Sequence, residues 1–242
     1  MAKLQVHMFP ALNDNYGFLL HDSDTGMTAS IDAPEEAPIR QALADTGWTL
    51  THILNTHHHG DHTQANQPLK ADTGCTIVGP TPEADKIPGI DVAVGDGETY
   101  EFAGHIATIH HTPGHTLGHI VYHFADDGIC FAGDTLFPLG CGRVFEGTME
   151  QMFGSMQTMA ALPPETVVYS AHEYTQANAK FAVTAEPDNA ALAARAEEID
   201  RMRAAGTPTV PTTIAAELET NPFIRADSAA RFTEVRTAKD NF

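Results

Sequence analysis

The segment Thr56-His57-His58-His59-Gly60-Asp61-His62 limits what this chain can be more than any other. His57, His59, Asp61 and His62 place four ligand-type side chains within six positions. Imidazole and carboxylate donors suit zinc, iron or manganese. In an extended loop, residues two apart share a face, so His57, His59 and Asp61 point the same way. A helix starting near Asp61 brings His62 to the same cavity from another angle. The segment then offers two pairs, His57 with His59 and Asp61 with His62, aimed at two adjacent points, as a two-metal site requires.

One metal site wants three or four protein ligands, so two sites need further donors. Three later stretches can supply them. His115 lies in Thr112-Pro113-Gly114-His115-Thr116, after an expected strand Ile106–Ile109. Asp134 lies in Gly133-Asp134-Thr135, after an expected strand Ile129–Ala132, and His172 follows the apolar run Thr166–Tyr169. Each is a His or Asp directly after a strand, where the ligand loops of layered sheets gather. The chain has 14 histidines, and most are ordinary. His7, His21, His52, His105, His110, His111 and His123 are expected in the core or on the surface, and His58 and His119 as groups that orient ligands.

Around these points the first two-thirds reads as short strands interleaved with helices. Leu4–Phe9, Tyr16–Leu20, Thr28–Ile31, His52–Leu54, Cys75–Val78, Tyr100–Phe102 and His119–Phe124 are further expected strands. Pro34–Thr46 is an expected helix stopped by Gly47, and Met149–Leu162 another. The pattern predicts a layered α/β architecture. After about Gln176 the texture becomes helical, with Asn189–Ala205 (Asp188 as its expected N-cap) and Ser228–Lys239. Charge shifts there too: 22 acidic and 5 basic residues in 1–179, against 10 and 8 in 180–242. Two domains are therefore expected, 1–175 and 176–242.

The formal net charge of −19 opposes nucleic acid, whose phosphates need a basic surface, and anionic lipid. The longest stretch free of Asp, Glu, Lys and Arg, residues 102–125, contains six histidines and is too polar to span a bilayer. The N-terminal segment has no long apolar core for secretion and no Arg-rich import pattern. Three cysteines without a Cys-x-x-Cys pair make a disulfide framework an unfavourable reading, and the expected location is the reducing cytoplasm. No Gly-x-Ser-x-Gly segment is present to carry a serine nucleophile.

The Thr-His-His-His-Gly-Asp-His segment, with His115, Asp134 and His172, resembles the metallo-β-lactamase superfamily. More narrowly the chain is similar to the hydroxyacylglutathione hydrolases (glyoxalase II). Asn13-Asp14-Asn15-Tyr16, His115-Thr116-Leu117-Gly118-His119 and Gly133-Asp134-Thr135-Leu136-Phe137 carry the likeness. It continues through Gly140-Cys141-Gly142-Arg143, Glu146-Gly147-Thr148, His172-Glu173-Tyr174-Thr175 and Asn221-Pro222-Phe223-Ile224-Arg225. The resemblance implies a four-layer αββα sandwich, with a small all-helical C-terminal domain that helps hold glutathione. It assigns His57, His59 and His115 to a first metal and Asp61, His62 and His172 to a second, with Asp134 bridging. It places Arg143, Tyr174 and Arg225 against the glutathione moiety. The chain departs from the family pattern at Gln64-Ala65, at Ala171 and at Ala226-Asp227-Ser228. Arg236 or Lys239 are substitutes for the tail cation missing after Arg225.

The implied activity is hydrolysis of S-2-hydroxyacyl glutathione, such as S-D-lactoylglutathione, to glutathione and a 2-hydroxy acid such as D-lactate, in methylglyoxal detoxification. Two divalent metals, zinc first and iron or manganese next, turn water into a nucleophile at neutral pH, with Asp134 and Asp61 as the carboxylates that balance them. A cysteine thiolate, with a pKa of about 8.5, leaves without strong protonation, which favours a thiolester over an amide. A monomer is expected. The rival expectation is an iron-dependent glutathione persulfide dioxygenase of the same superfamily.

Overall fold

The computed structural model describes residues 2–242, which form two compact units: 2–111 with Gly118–Asp127, and Thr112–Leu117 with Gly128–Phe242. In the first unit, β1 (Gln5–Ala11), β2 (Asn15–His21) and β3 (Met27–Ile31) run antiparallel in succession. Helix α1 (Glu36–Thr46) then carries the chain to β4 (Thr49–Leu54), which lies parallel to β3. Gly47 ends α1 in the left-handed conformation (φ 73°), returning its N–H to the Leu43 carbonyl, so the expected stop is where the sequence put it.

Two short helices follow, α2 (Gly60–Thr63) and α3 (Asn66–Thr73), before β5 (Thr76–Pro80) and β6 (Val92–Val94) extend the sheet in parallel. The centre of this sheet is covered on both faces, and Ile53, Leu54, Ile77 and Val78 are fully buried. Of these, Ile53 and Ile77 pack with Leu19, Ile39, Ala42, Leu69 and Ile87 into one apolar cluster with the helices. β7 (Thr99–Phe102), β8 (His105–His111) and β9 (Ile120–Phe124) form an antiparallel meander. It docks on the first sheet. Phe102 stands edge-on to His52, with ring centroids 5.3 Å apart, and the Tyr122 hydroxyl donates to the Asn55 carbonyl at 2.9 Å.

The second unit contains β10 (Ile129–Gly133), the small ribbon β11 (Leu136–Phe137) and β12 (Gly140–Cys141), α4 (Met149–Ala160) and β13 (Val167–Ser170). β13 runs parallel to β10. α4 starts in a capping box, Thr148 with Gln151, and buries Met152, Met156 and Met159 at helical spacing. Helices α5 (Thr175–Ala185) and α6 (Ala190–Ala204) enclose Leu139, Ala179, Ala182, Leu192 and Ile199. The tail continues through β14 (Thr212–Thr213), α7 (Ile214–Thr220) and α8 (Ala229–Asp240); it is helical apart from β14, which pairs antiparallel with β13.

Several boundaries differ from the sequence expectation. α6 is capped by Asn189, not Asp188: the Asn189 side chain accepts from the Leu192 N–H at 3.1 Å, while its amide reaches the Glu219 carbonyl. α3, α5 and α7 were not expected. Their segments carry Pro68, Asn178 or several threonines, which weaken a helical pattern read locally, and burial of Leu69, Phe181 and Ile214 overrides it.

Candidate metal centre

The first unit builds its donors on the end of β4. The chain leaves Leu54 through the buried Asn55, Thr56 and His57, and α2 begins at Gly60. That turn separates the two expected pairs. His57 Nε2 faces His59 Nδ1 at 3.1 Å, and His62 Nε2 faces Asp61 Oδ2 at 3.4 Å. The Asn55 amide donates to the His62 carbonyl at 2.9 Å and fixes the turn.

Beneath them lies Asp32, buried directly after β3 and held at φ 56°. Its carboxylate accepts the Thr56 N–H at 2.7 Å, the Thr56 hydroxyl at 2.9 Å and the His62 Nδ1–H at 2.8 Å. Because that hydroxyl donates to Asp32, it accepts from His57 Nδ1 at 3.0 Å. Asp32 therefore keeps the Nδ1 protons of His57 and His62 on the inner side and turns both Nε2 lone pairs outward. His119 stacks on His57 with centroids 4.8 Å apart. Buried Glu83 takes the His58 N–H at 3.0 Å and the Gly118 N–H at 2.7 Å, and lies 2.9 Å from His58 Nδ1. His119 and His58 thus lie against His57 and Glu83 respectively, beside the expected ligands. The Asn15 amide donates to Asp61 Oδ2 at 3.2 Å.

In the second unit Asp134, just after β10, lies between two imidazoles. Its Oδ2 is 3.3 Å from His115 Nε2 and its Oδ1 is 3.3 Å from His172 Nε2. All three side chains are buried. His115 Nδ1 donates to the Arg143 carbonyl at 3.0 Å, so a neutral His115 points a lone pair at a carboxylate. His172 is stacked on Tyr174, 4.7 Å between centroids and 1° between planes.

These spacings fit divalent cations. Two donors each about 2.0–2.1 Å from a tetrahedral metal stand about 3.3 Å apart, and the four donor pairs span 3.1–3.4 Å. Lone pairs held against carboxylates repel unless a positive charge lies between them. The imidazole and carboxylate set suits zinc, iron and manganese alike.

The expected glutathione contacts are dispersed. Tyr174 is partly exposed, Phe137 edge-on against it with centroids 5.3 Å apart, and Arg143 is exposed. The Arg225 guanidinium pairs with Glu186 at 3.1 Å and with the Leu218 carbonyl. Lys239 has its ammonium held below its usual value, first by burial and then by the positive fields of Arg236 and Arg143. Asp240, paired with Arg236 at 2.7 Å, partly offsets these fields. Asp32 and Glu83 escaped sequence reading, although Asp32 carries the same strand-end signal that picked out Asp134. The cysteines are buried and free. Burial pushes the Cys141 thiol up to about 11, with Arg236 opposing, and the Cys130 thiol far up, so neither offers a thiolate.

Comparison with known proteins places the chain in a family. A family model described as the metallo-beta-lactamase superfamily matches residues 24–172, and one described as the hydroxyacylglutathione hydrolase C-terminus matches residues 173–242. The hydroxyacylglutathione hydrolases of Rhizobium meliloti (strain 1021) and Rhizobium etli are 53% and 52% identical, each aligned over 100% of both chains. Among solved structures, ETHE1 from Myxococcus xanthus superposes with a TM-score of 0.74 at 28% identity, covering 98% of this chain and 90% of that one. The chain belongs to the hydroxyacylglutathione hydrolase family of the metallo-β-lactamase superfamily.

Proposed function

We propose that this hydrolase cleaves S-2-hydroxyacyl glutathione, with S-D-lactoylglutathione as the reference substrate, to glutathione and D-lactate, as a step of methylglyoxal detoxification. Family membership makes the chain a hydrolase. The observation that carries the metal reading is Asp134, whose two oxygens each lie 3.3 Å from a different imidazole. A carboxylate so placed has one oxygen for each of two cations.

His57, His59 and His115 would hold one metal, and Asp61, His62 and His172 the other, with Asp134 shared. Zinc is the first choice. When bound, the metals supply Lewis acidity and a nucleophile at neutral pH. The chain's own residues do the rest. Asp32 and the Arg143 carbonyl keep His57, His62 and His115 in the Nδ1–H form, so that each presents Nε2. Asp134 and Asp61 offset the cationic charge. Arg143, with Lys239, offers positive charge to the glutathione carboxylates against the chain's net −19, whereas Arg236 is buried and paired with Asp240 at 2.7 Å. Tyr174 gives the thiol moiety an aromatic wall, and Arg225 adds a tail cation paired with Glu186. The leaving thiolate needs no strong acid, since a cysteine thiol has a pKa of about 8.5.

Residues 1–175 would form the catalytic module and 176–242 the glutathione-holding one, close to where the two family models meet. We further propose a monomer working in the cytoplasm. No helix among the described residues is long and apolar enough to cross a membrane. The test is metal content with product analysis. Two metals per chain and one free thiol per thiolester consumed support the reading. One iron per chain, with oxygen uptake on glutathione persulfide, would replace it with the dioxygenase.

A further inference from the structure

The loop from Phe137 to Arg143 is anchored by the tail rather than by its own ribbon. β11 and β12 pair over two residues each, too few to hold a conformation. Leu139 sits in the left-handed region (φ 59°), a conformation that persists only where its surroundings enforce it. The loop must nevertheless be placed accurately. A Cβ at Gly142 would stand 2.0 Å from the Asp134 carbonyl oxygen and 3.4 Å from His115 Cβ. The next residue, Arg143, gives its carbonyl to His115 Nδ1.

What fixes the loop is a buried carboxylate 74 or more residues further along. Glu217 on α7 is fully buried. Its Oε2 accepts the Leu139 N–H at 2.8 Å and the Asn221 amide at 2.9 Å. The same amide reaches the carbonyls of Gly140 at 2.9 Å and Phe137 at 3.2 Å. Oε1 accepts from Arg195 Nη2 and from the Thr212 hydroxyl, both at 2.6 Å. A buried ion pair is often no better for stability than apolar residues of the same volume. Here one carboxylate oxygen serves the charge partner while the other is aimed at the loop.

We propose that Glu217, with its charge partner Arg195 and with Asn221, is a positioning residue for the metal centre: it sets the Leu139–Arg143 loop, and through the Arg143 carbonyl it orients His115. This rests on the metal reading above. The tail helices would then serve the metal centre as well as the substrate.

The experiment compares metal release to a chelator at 25 °C from the full-length, metal-loaded chain and two double variants. Glu217→Leu with Arg195→Met replaces the pair by apolar groups, which keeps the fold but removes the loop's acceptor. Glu217→Gln with Arg195→Met restores a neutral acceptor for Leu139 and Asn221. The expected result is about tenfold faster release from the first, the lower end of what loss of a ligand-orienting group costs. The second should release within about twofold of the parent chain, and KM should rise in the first by more than kcat falls. Met159→Ala in α4, a core variant, controls for lowered stability alone and should leave release unchanged. Parental release from a folded Leu/Met variant, or equal release from both doubles, overturns the proposal. If the Leu/Met variant does not fold, Asn221→Ala decides in its place: tenfold faster release supports the role and parental release refutes it. A parent chain that holds no metal fails the metal reading, and this proposal with it. A metal-loaded parent with unchanged variants fails this proposal alone.

Discussion

Asp32→Asn is the most telling perturbation of the first donor set. The native carboxylate takes three hydrogen bonds of 2.7–2.9 Å, from the Thr56 N–H, the Thr56 hydroxyl and His62 Nδ1. Asparagine tolerates the left-handed backbone at this position, so the substitution leaves the turn intact. Its amide has one acceptor where the carboxylate had two. With the carbonyl on Thr56, the NH2 faces His62 Nδ1 and drives that proton to Nε2, the nitrogen that faces Asp61. With the amide reversed, the buried Thr56 N–H loses its partner instead. Either arrangement orphans one buried donor, at a stability cost of about 1–3 kcal/mol. Truncation to alanine takes the acceptor from all three donors and costs about 3–9 kcal/mol. Metal affinity should fall about 10–100-fold, or about 1.4–2.8 kcal/mol. Competition with a chelator, followed by metal analysis and thermal melting, reads both quantities. A folded Asp32→Asn chain with parental metal affinity refutes the proposed control of His62.

The remaining expectations concern other parts of the chain. Arg143→Ala and Lys239→Ala should each raise KM for a glutathione thiolester about tenfold or more, the worth of one charge-assisted hydrogen bond of about 1.5 kcal/mol, with smaller effects on kcat; an unchanged KM removes that residue from the substrate site. Gly142→Ala forces the loop off the Asp134 carbonyl, so metal content and melting temperature should both drop, and retention of both contradicts the close approach. Burial holds the imidazoles of His110 and His123 below their usual value near 6.5; His110 further opposes charge on His123, while Asp96 partly offsets the burial of His110. The unfolded chain therefore takes up protons first on acidification. Stability should be level above about pH 6.5 and decline towards pH 5, less steeply in His110→Gln; a melting temperature that rises across that range contradicts the assignment.

Most of the candidate donor set was legible because its chemistry is written in short contiguous segments and at strand ends. His57, His59, Asp61 and His62 form the two expected pairs because a helix does begin at Gly60. Asp134 was readable as an acid after an apolar strand. Asp32 follows β3 in the same way, but nothing in its own neighbourhood marks it: its partners Thr56 and His62 lie 24 and 30 residues away. Glu217 is harder still, since its loop partner Leu139 is 78 residues distant and its own segment carries no helical pattern that would single it out. Helices α3 and α5 were missed because they owe their stability to the side chains they bury rather than to local propensity. Folding supplied what sequence reading could not: the groups that hold the ligands still.

The central claim is a metal-dependent thiolesterase, and the most direct measurement is the rate at which the purified, metal-replete chain hydrolyses S-D-lactoylglutathione. The expected kcat/KM is about 10⁴ M⁻¹s⁻¹ or higher, at least the lower end for ordinary enzymes, with activity lost on chelation and regained on adding metal. No turnover with two metals bound per chain would contradict it.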